Sequence, residues 1–414
     1  MMRLPGIGCK FARRRFILCY NFFMPEIVFS VFVNREQPTD ELLNLIKPVQ
    51  PGIRIDPVLW GQEWTWLTNM TVQRQGAEIS QIGSSTVSAL AAMNVVRPFS
   101  DRELSYIGGQ NIFAPVAWQS AYRVSSSQVV GLPWLADSRA VFYWRDMLKK
   151  AGVDEDRAFL SPEVMEETLE RLQSSGIASP WTIPTKIGVA VLQVAVTWVW
   201  SNGGEFIDPG GRRTLFTEPR ALDGMKRFFR LYRFLPQGEL HDDETSANLF
   251  ASRQAAVTMG SPFLGTRIYQ LVPPDQHANI GIALPPGPSF VGGSSLIIWK
   301  HCHHEHEAVE VVRFLLSAQA QREYCQRTGY LPVRKDVLVE PPFSTDRRFR
   351  VFALALSTGR PFSVVKSAGL LESRMNATLT KTFQEIIAGQ EIDACVTNNL
   401  EQLAHRLDVT LGLY

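Results

Sequence analysis

Apolar residues along this chain recur with two spacings, one suited to strands and one to helices, and the alternation between them outlines a fold. Ile27, Val28, Phe29 and Val31 fall in a β-branched run over residues 26–32 that suits a buried parallel strand. Thr39, Asp40 and Glu41 then open a helical stretch through Ile46, with Asp40 or Thr39 placed to cap it, and Pro51 and Gly52 turn the chain into a second strand, Ile53–Leu59. A helical pattern over 62–75 leads past Gly76 to a third strand over 77–82, which stops at Gly83, Ser84 and Ser85. Strand, helix, strand in that order is a βαβ unit, so an α/β fold with a parallel sheet is expected. The 3.6-residue period also predicts helices over Pro162–Ser174, with proline in its first turn, and over 189–202, 219–235, 307–316, 346–356 and 391–411.

Length and composition sharpen this picture. At 414 residues the chain exceeds the roughly 250–300 residues that one core serves, so two lobes are expected. With 45% hydrophobic and 20% charged residues it reads as globular rather than disordered or fibrous. Lys and Arg total 42 against 40 for Asp and Glu, and a net charge of +2 supplies no field to gather nucleic acid. Cys9, Cys19, Cys302, Cys325 and Cys395 are odd in number and lack C-x-x-C spacing, which suggests neither a zinc site nor a disulfide framework. Residues 1–23 place Arg13, Arg14 and Arg15 before a short apolar run containing Tyr20 and Asn21, with no small-residue cleavage site after it. That stretch reads as an N-terminal extension, either a degenerate signal or an early start. No other window of about 18 apolar residues occurs, so no membrane-spanning segment is expected.

Candidate chemistry is sparse. The chain lacks G-x-S-x-G, H-E-x-x-H, a Walker loop and a strand-borne G-x-G-x-x-G, and no catalytic residue or cofactor is expected. His301, His303, His304 and His306 cluster around Cys302 and Glu305, a spacing open to zinc or nickel, but a surface turn is the expected reading and no metal is assigned. Ten tryptophans are more suggestive, because a sugar offers an apolar C–H face and a rim of hydroxyls that aromatic platforms and polar side chains satisfy together.

Several segments resemble, in the expected order, the extracellular solute-binding proteins of ABC importers, family 1, the maltose-binding-protein-like group. The stretch from Gly131, Leu132 and Pro133 through Asp137, Tyr143 and Asp146 to Ala151 and Gly152 is similar to that family's hinge segment, with Trp144 in place of the usual asparagine. Gly203, Gly204, Glu205, Phe206 and Asp208 match its "nGGxfxd" turn, and Phe250 to Phe263 resemble its "FxxGkaAmxxgpw" segment, with Arg253 and Gln254 replacing glycine and lysine. Gly293, the helix after it, and the Gly329, Tyr330, Leu331, Pro332, Val333, Arg334 turn complete the likeness, whereas Glu78 stands where an aspartate is usual.

The resemblance implies a type II periplasmic-binding-protein fold. Two α/β lobes, 24–135 plus 264–328 and 136–263 plus 329–414, would flank a cleft. It also implies a monomer that captures a carbohydrate, a mono- or oligosaccharide or related polyol, and delivers it to permease subunits in the membrane from a periplasmic or extracytoplasmic position. Expected ligand contacts are Trp134 and Asp137 in the hinge segment, Ser84 and Ser85 after the third strand, Trp64, Trp198, Phe263, Gly293 on the crossing strand, Tyr330 and Arg334. Trp198 and Trp200 stand two apart on a helix and cannot share a face, so at least one belongs to the core. The alternatives are a non-exported sensor of the same fold and a sugar-acting enzyme using Asp137 with Glu205.

Overall fold

In the computed structural model, the described residues are 25–33, 39–59, 62–119, 128–186, 190–362, 365 and 367–411, with backbone alone at 63, 64 and 190. The expected signal-like stretch 1–23 lies outside them. Among the described residues, eleven strands form two sheets. The strands are β1 (Ile27–Val33), β2 (Ile53–Leu59), β3 (Ile79–Gly83), β4 (Leu132–Ser138), β5 (Ala140–Trp144), β6 (Trp181–Thr182), β7 (Val257–Gly260), β8 (Ile280–Ala283), β9 (Phe290–Ile298), β10 (Leu331–Pro332) and β11 (Arg360–Pro361). The first sheet runs β10-β4-β9-β3-β1-β2, with β11 added on β9, and the second runs β6-β7-β5-β8.

The βαβ expectation holds. β1 pairs in parallel with both β2 and β3, and its apolar run is buried at nearly every position because helices cover both faces. β9 is antiparallel to β3 and β4. In the second sheet β5 is antiparallel to β7 and β8, and β6 is parallel to β7.

Several helix starts carry side-chain caps, although Thr39, at the N-cap of Asp40–Ile46, makes no side-chain cap bond. Ser161 accepts from the Val164 N–H ahead of Pro162–Ser174, and Asp346 accepts from Arg348 ahead of Arg347–Thr358. The stretch expected as one helix over 219–235 is an α-helix, Pro219–Arg230, followed by a 3₁₀ turn, Leu231–Phe234.

Helices Ala190–Ser201, Pro219–Arg230, Ala368–Ile387 and Ile392–Leu411 close the core of the second body, around Trp181, Trp198, Phe228, Phe229 and Phe383. Side chains of this size contribute roughly 1.5–3 kcal/mol each on full burial. The first core spans β1, β4, β9 and β10 and continues past the junction. Helix Arg347–Thr358 wedges Phe352 against Phe142, whose ring centroid lies 5.9 Å away, and carries that core onto one face of the second sheet.

The chain passes between the two bodies three times: at Arg139 between β4 and β5, over residues 284–289 between β8 and β9, and after β11 on the way to helix Ala368–Ile387. The boundaries read from the sequence fall at 135/136, 263/264 and 328/329. The three passages meet at Ser289, which is buried. Its hydroxyl accepts from the Arg139 N–H at 2.9 Å, and its carbonyl accepts from the Arg360 N–H at 2.9 Å.

Candidate ligand-binding cleft

Topology decides which strand ends face the junction between the bodies. β3 is antiparallel to β9 with Gly83 opposite Ser294, and β4 is antiparallel to β9 with Asp137 opposite Gly292. The carboxyl end of β3, the end of β4 and the start of β9 therefore share one edge of the first sheet. In the second sheet Gly260 lies opposite Ala140, and β6 runs parallel to β7, so residues just past Thr182 and Gly260 point to the same junction as Arg139. Carboxyl ends of strands in open α/β sheets are where ligands bind.

Close packing marks that edge. Gly293 has φ +138°, and a Cβ there would stand 2.0 Å from the Leu135 carbonyl oxygen, so only glycine lets β4 and β9 approach this closely. Its carbonyl accepts from the Ser84 hydroxyl at 2.9 Å. Ser85, one residue on, donates to the Glu372 carboxylate and so ties the first body to helix Ala368–Ile387 of the second. Ser88 adds a bond to the Val365 carbonyl at 3.2 Å, and Arg360 pairs with Glu205 at 2.8 Å.

Arg139 organises the floor of the junction. Its guanidinium donates to Asp137 at 2.7 Å, to the Ser138 carbonyl at 2.9 Å and to the Gln193 side-chain oxygen, and it lies 5.3 Å from the Phe290 ring centroid. Gln193 in turn donates to Glu372 at 3.4 Å. Burial raises the Glu372 carboxyl above its ordinary range, against the lowering effect of the bonds from Ser85 and Gln193 and of the Arg139 charge.

A fourth carboxyl comes from the N-terminus of helix Asp243–Ala251, which is pinned to the end of β6 by bonds between Thr185 and His241 at 2.8 and 2.9 Å. Asp242 caps this helix and is held low by the Thr245 N–H and hydroxyl. Its neighbour Asp243 is pushed up to about 6, chiefly by desolvation, with the charge of Arg139 opposing and those of Asp242 and Asp137 reinforcing the rise. Asp243 nevertheless keeps surface open to water.

Of the residues expected to line the cleft, Ser84, Ser85, Asp137 and Gly293 gather at this junction. Phe263 is half-buried at the start of helix Pro262–Leu271, beside Gly260, and among the described residues the apolar clusters do not include it. Trp134 departs from expectation. It is 1% exposed and stacks on Tyr324 at 5.4 Å between centroids, because a central strand is covered on both faces and leaves no side for a solute. Trp198 is likewise core, packed on Phe228, and Trp200 is core beside it.

Tyr330 packs half-buried on the first core, and Arg334 is engaged by Asp336 and the Leu316 carbonyl. Trp64 lies on helix Glu63–Gln73, its side chain outside the described residues. Asp137 and Glu205, the carboxylates a glycoside-cleaving enzyme would employ, are held by different arginines, Arg139 and Arg360. Sequence reasoning missed Arg139, Gln193, Asp243 and Glu372. Only the adjacency of Arg139 to Asp137 could have signalled any of them.

The histidine cluster forms a turn away from this edge. His304 bonds Glu78 at 2.9 Å and His301 bonds the Ala77 carbonyl at 3.0 Å. Among the described residues no three His, Cys, Asp or Glu side chains converge as a metal-binding set, and no helix is long and apolar enough to cross a membrane.

Comparison with known proteins agrees with this architecture. The family described as bacterial extracellular solute-binding proteins matches residues 52–350. A Brucella abortus protein named only as a binding protein is 24% identical over 315 residues, 72% of each chain. Among solved structures, the ABC transporter solute-binding protein of Thermotoga lettingae bound with α-D-tagatose superposes with a TM-score of 0.80 at 16% identity, covering 94% of this chain and all of that one. The sugar-binding protein MalE of Xanthomonas citri gives 0.75 at 18% identity, covering 94% and 97%.

Proposed function

Because the chain belongs to the bacterial extracellular solute-binding proteins, we propose that it is the solute-capturing component of an ABC importer, holding a carbohydrate or related polyol between its two bodies and presenting it to a membrane permease. The observation that carries this reading is the convergence of Ser85 from one body, Glu372, Gln193 and Asp243 from the other, and Asp137 with Arg139 at the passage between them. Polyol hydroxyls are donors and acceptors at once, and a set of carboxylates, an amide and a guanidinium meets both needs. Phe263, at the rim, supplies an apolar face for ring C–H groups.

Capture works by differential binding. A solute touching both bodies favours the conformation in which they meet by the difference between its affinities for the two states. That conformation is what a permease would read, from outside the membrane, with the protein acting as a monomer. No bond to the solute forms or breaks. The test is calorimetric titration against saccharides and polyols, with product analysis after prolonged incubation. Saturable one-to-one heat without product supports the proposal, and a flat response across the panel refutes it.

A further inference from the structure

Charge at the junction is lopsided. Among the described residues, Asp137, Asp243 and Glu372 face one guanidinium, Arg139, which is already committed to Asp137, the Ser138 carbonyl and Gln193. Arg360, also at the junction, is paired with Glu205, and the charge of Lys186 acts on Asp242. Helix N-termini ordinarily seat anions through free N–H groups and the positive end of the dipole. Helix Asp243–Ala251 fills that seat with its own acids, since Asp242 caps it and Asp243 and Glu244 occupy its first turn. Helix Pro262–Leu271, whose start lies at the same edge, has no N–H at Pro262 and spends that of Leu264 on Ser261. An entering phosphate would meet carboxylates where it needs donors, whereas hydroxyl and ammonium groups would meet acceptors.

We infer that the cleft admits an uncharged or amine-bearing polyol and rejects its phosphate ester, with Asp243 as the discriminating side chain. The inference rests on the junction being the solute site. Asp137 is neutralised by its pairing with Arg139, and Glu372 is engaged by Ser85 and Gln193, so Asp243 is the acid with an open face and no committed cation.

The test uses the full chain and matched sets of probes: glucose, glucosamine and glucose 6-phosphate; glycerol and glycerol 3-phosphate; and further saccharides in the same forms. Thermal shift is followed by calorimetry near neutral pH. The phosphate form is expected to bind at least ~10-fold more weakly than its uncharged partner, and Asp243→Asn to close most of that gap. In the unmodified protein, raising the salt concentration should narrow the gap, a measurement that stands even if the variant does not fold.

A phosphate ester binding as tightly as its uncharged partner overturns the inference and leaves the polyol clamp standing, as does a gap indifferent to both Asp243→Asn and salt. A panel in which no form of any probe binds overturns the clamp itself, and the inference with it.

Discussion

Replacing Gly293 by alanine should separate backbone constraint from ordinary packing at the junction. A Cβ at this position would stand 2.0 Å from the Leu135 oxygen, 3.0 Å from its carbonyl carbon and 3.1 Å from the Ala136 Cα. Carbon and carbonyl oxygen pack no closer than about 3.3 Å even in favourable Cα–H···O contacts, so β4 and β9 would have to part by about 1 Å. Holding an L-residue at φ +138° adds about 1–3 kcal/mol of strain, and loosening one or two ladder hydrogen bonds costs about 1 kcal/mol each. The expected loss is therefore about 2–5 kcal/mol. Gly152 is the control, since it has φ +68° with nothing within 4 Å of an added Cβ, so Gly152→Ala should cost only about 1 kcal/mol. Urea unfolding followed by tryptophan fluorescence measures both. If Gly293→Ala lies within about 1 kcal/mol of Gly152→Ala, the close approach of the strands is not what requires glycine.

Trp134→Ala should cost about 3–5 kcal/mol of stability, as truncation of a buried aromatic does, and a fully stable variant with weakened solute binding would return Trp134 to the cleft. Asp243 has its carboxyl raised from 3.8 to about 6, so its contribution to stability is present below pH 4 and is lost as the pH rises through 6. The full span is worth about 3 kcal/mol, which the water on its open face reduces to about 1 kcal/mol. Asp243→Asn should accordingly stabilise the protein by that amount at pH 7.5 and leave it unchanged at pH 3.5, and equal shifts at both pH values would contradict the assignment. Ser85→Ala removes the donor that joins the bodies through Glu372, so small-angle scattering should report a larger radius of gyration and denaturation a loss of about 1–3 kcal/mol. Unchanged scattering and stability would mean that the bond carries no load.

The period-2 and period-3.6 patterns placed β1, Pro162–Ser174 and Ile392–Leu411 to within a residue or two, because these are governed by local burial and by caps adjacent in sequence, but they left helices Asp243–Ala251 and Ala368–Ile387 unmarked. The cleft was legible only in part. Ser84, Ser85 and Gly293 were within reach because a strand that ends in Gly-Ser-Ser and a Gly-Gly strand announce backbone geometry. Trp134 was misread because alternation does not tell whether a strand is central or at an edge, and β4 is flanked by β9 and β10. Glu372 sits on a helix whose buried positions also include Asn376, Thr378, Thr380 and Thr382, a polar interior that amphipathic reasoning assigns to solvent. Asp243 and Arg139 are about a hundred residues apart, and only the passage of the chain between two sheets brings their charges together.

The order in which the second body receives its parts bears on how the protein is made. Its four strands are complete by Ala283, yet helices Ala368–Ile387 and Ile392–Leu411, which bring Met375, Leu379, Phe383 and Leu403 into the core, leave a ribosome after all the other described elements. Throughout translation of the intervening segment, the apolar surface around Phe228 and Phe229 stays uncovered. The nascent chain thus lacks a finished second core until the segment ending at Leu411 has been made, an interval in which a chaperone or secretion factor that recognises unfolded polypeptide could still engage it.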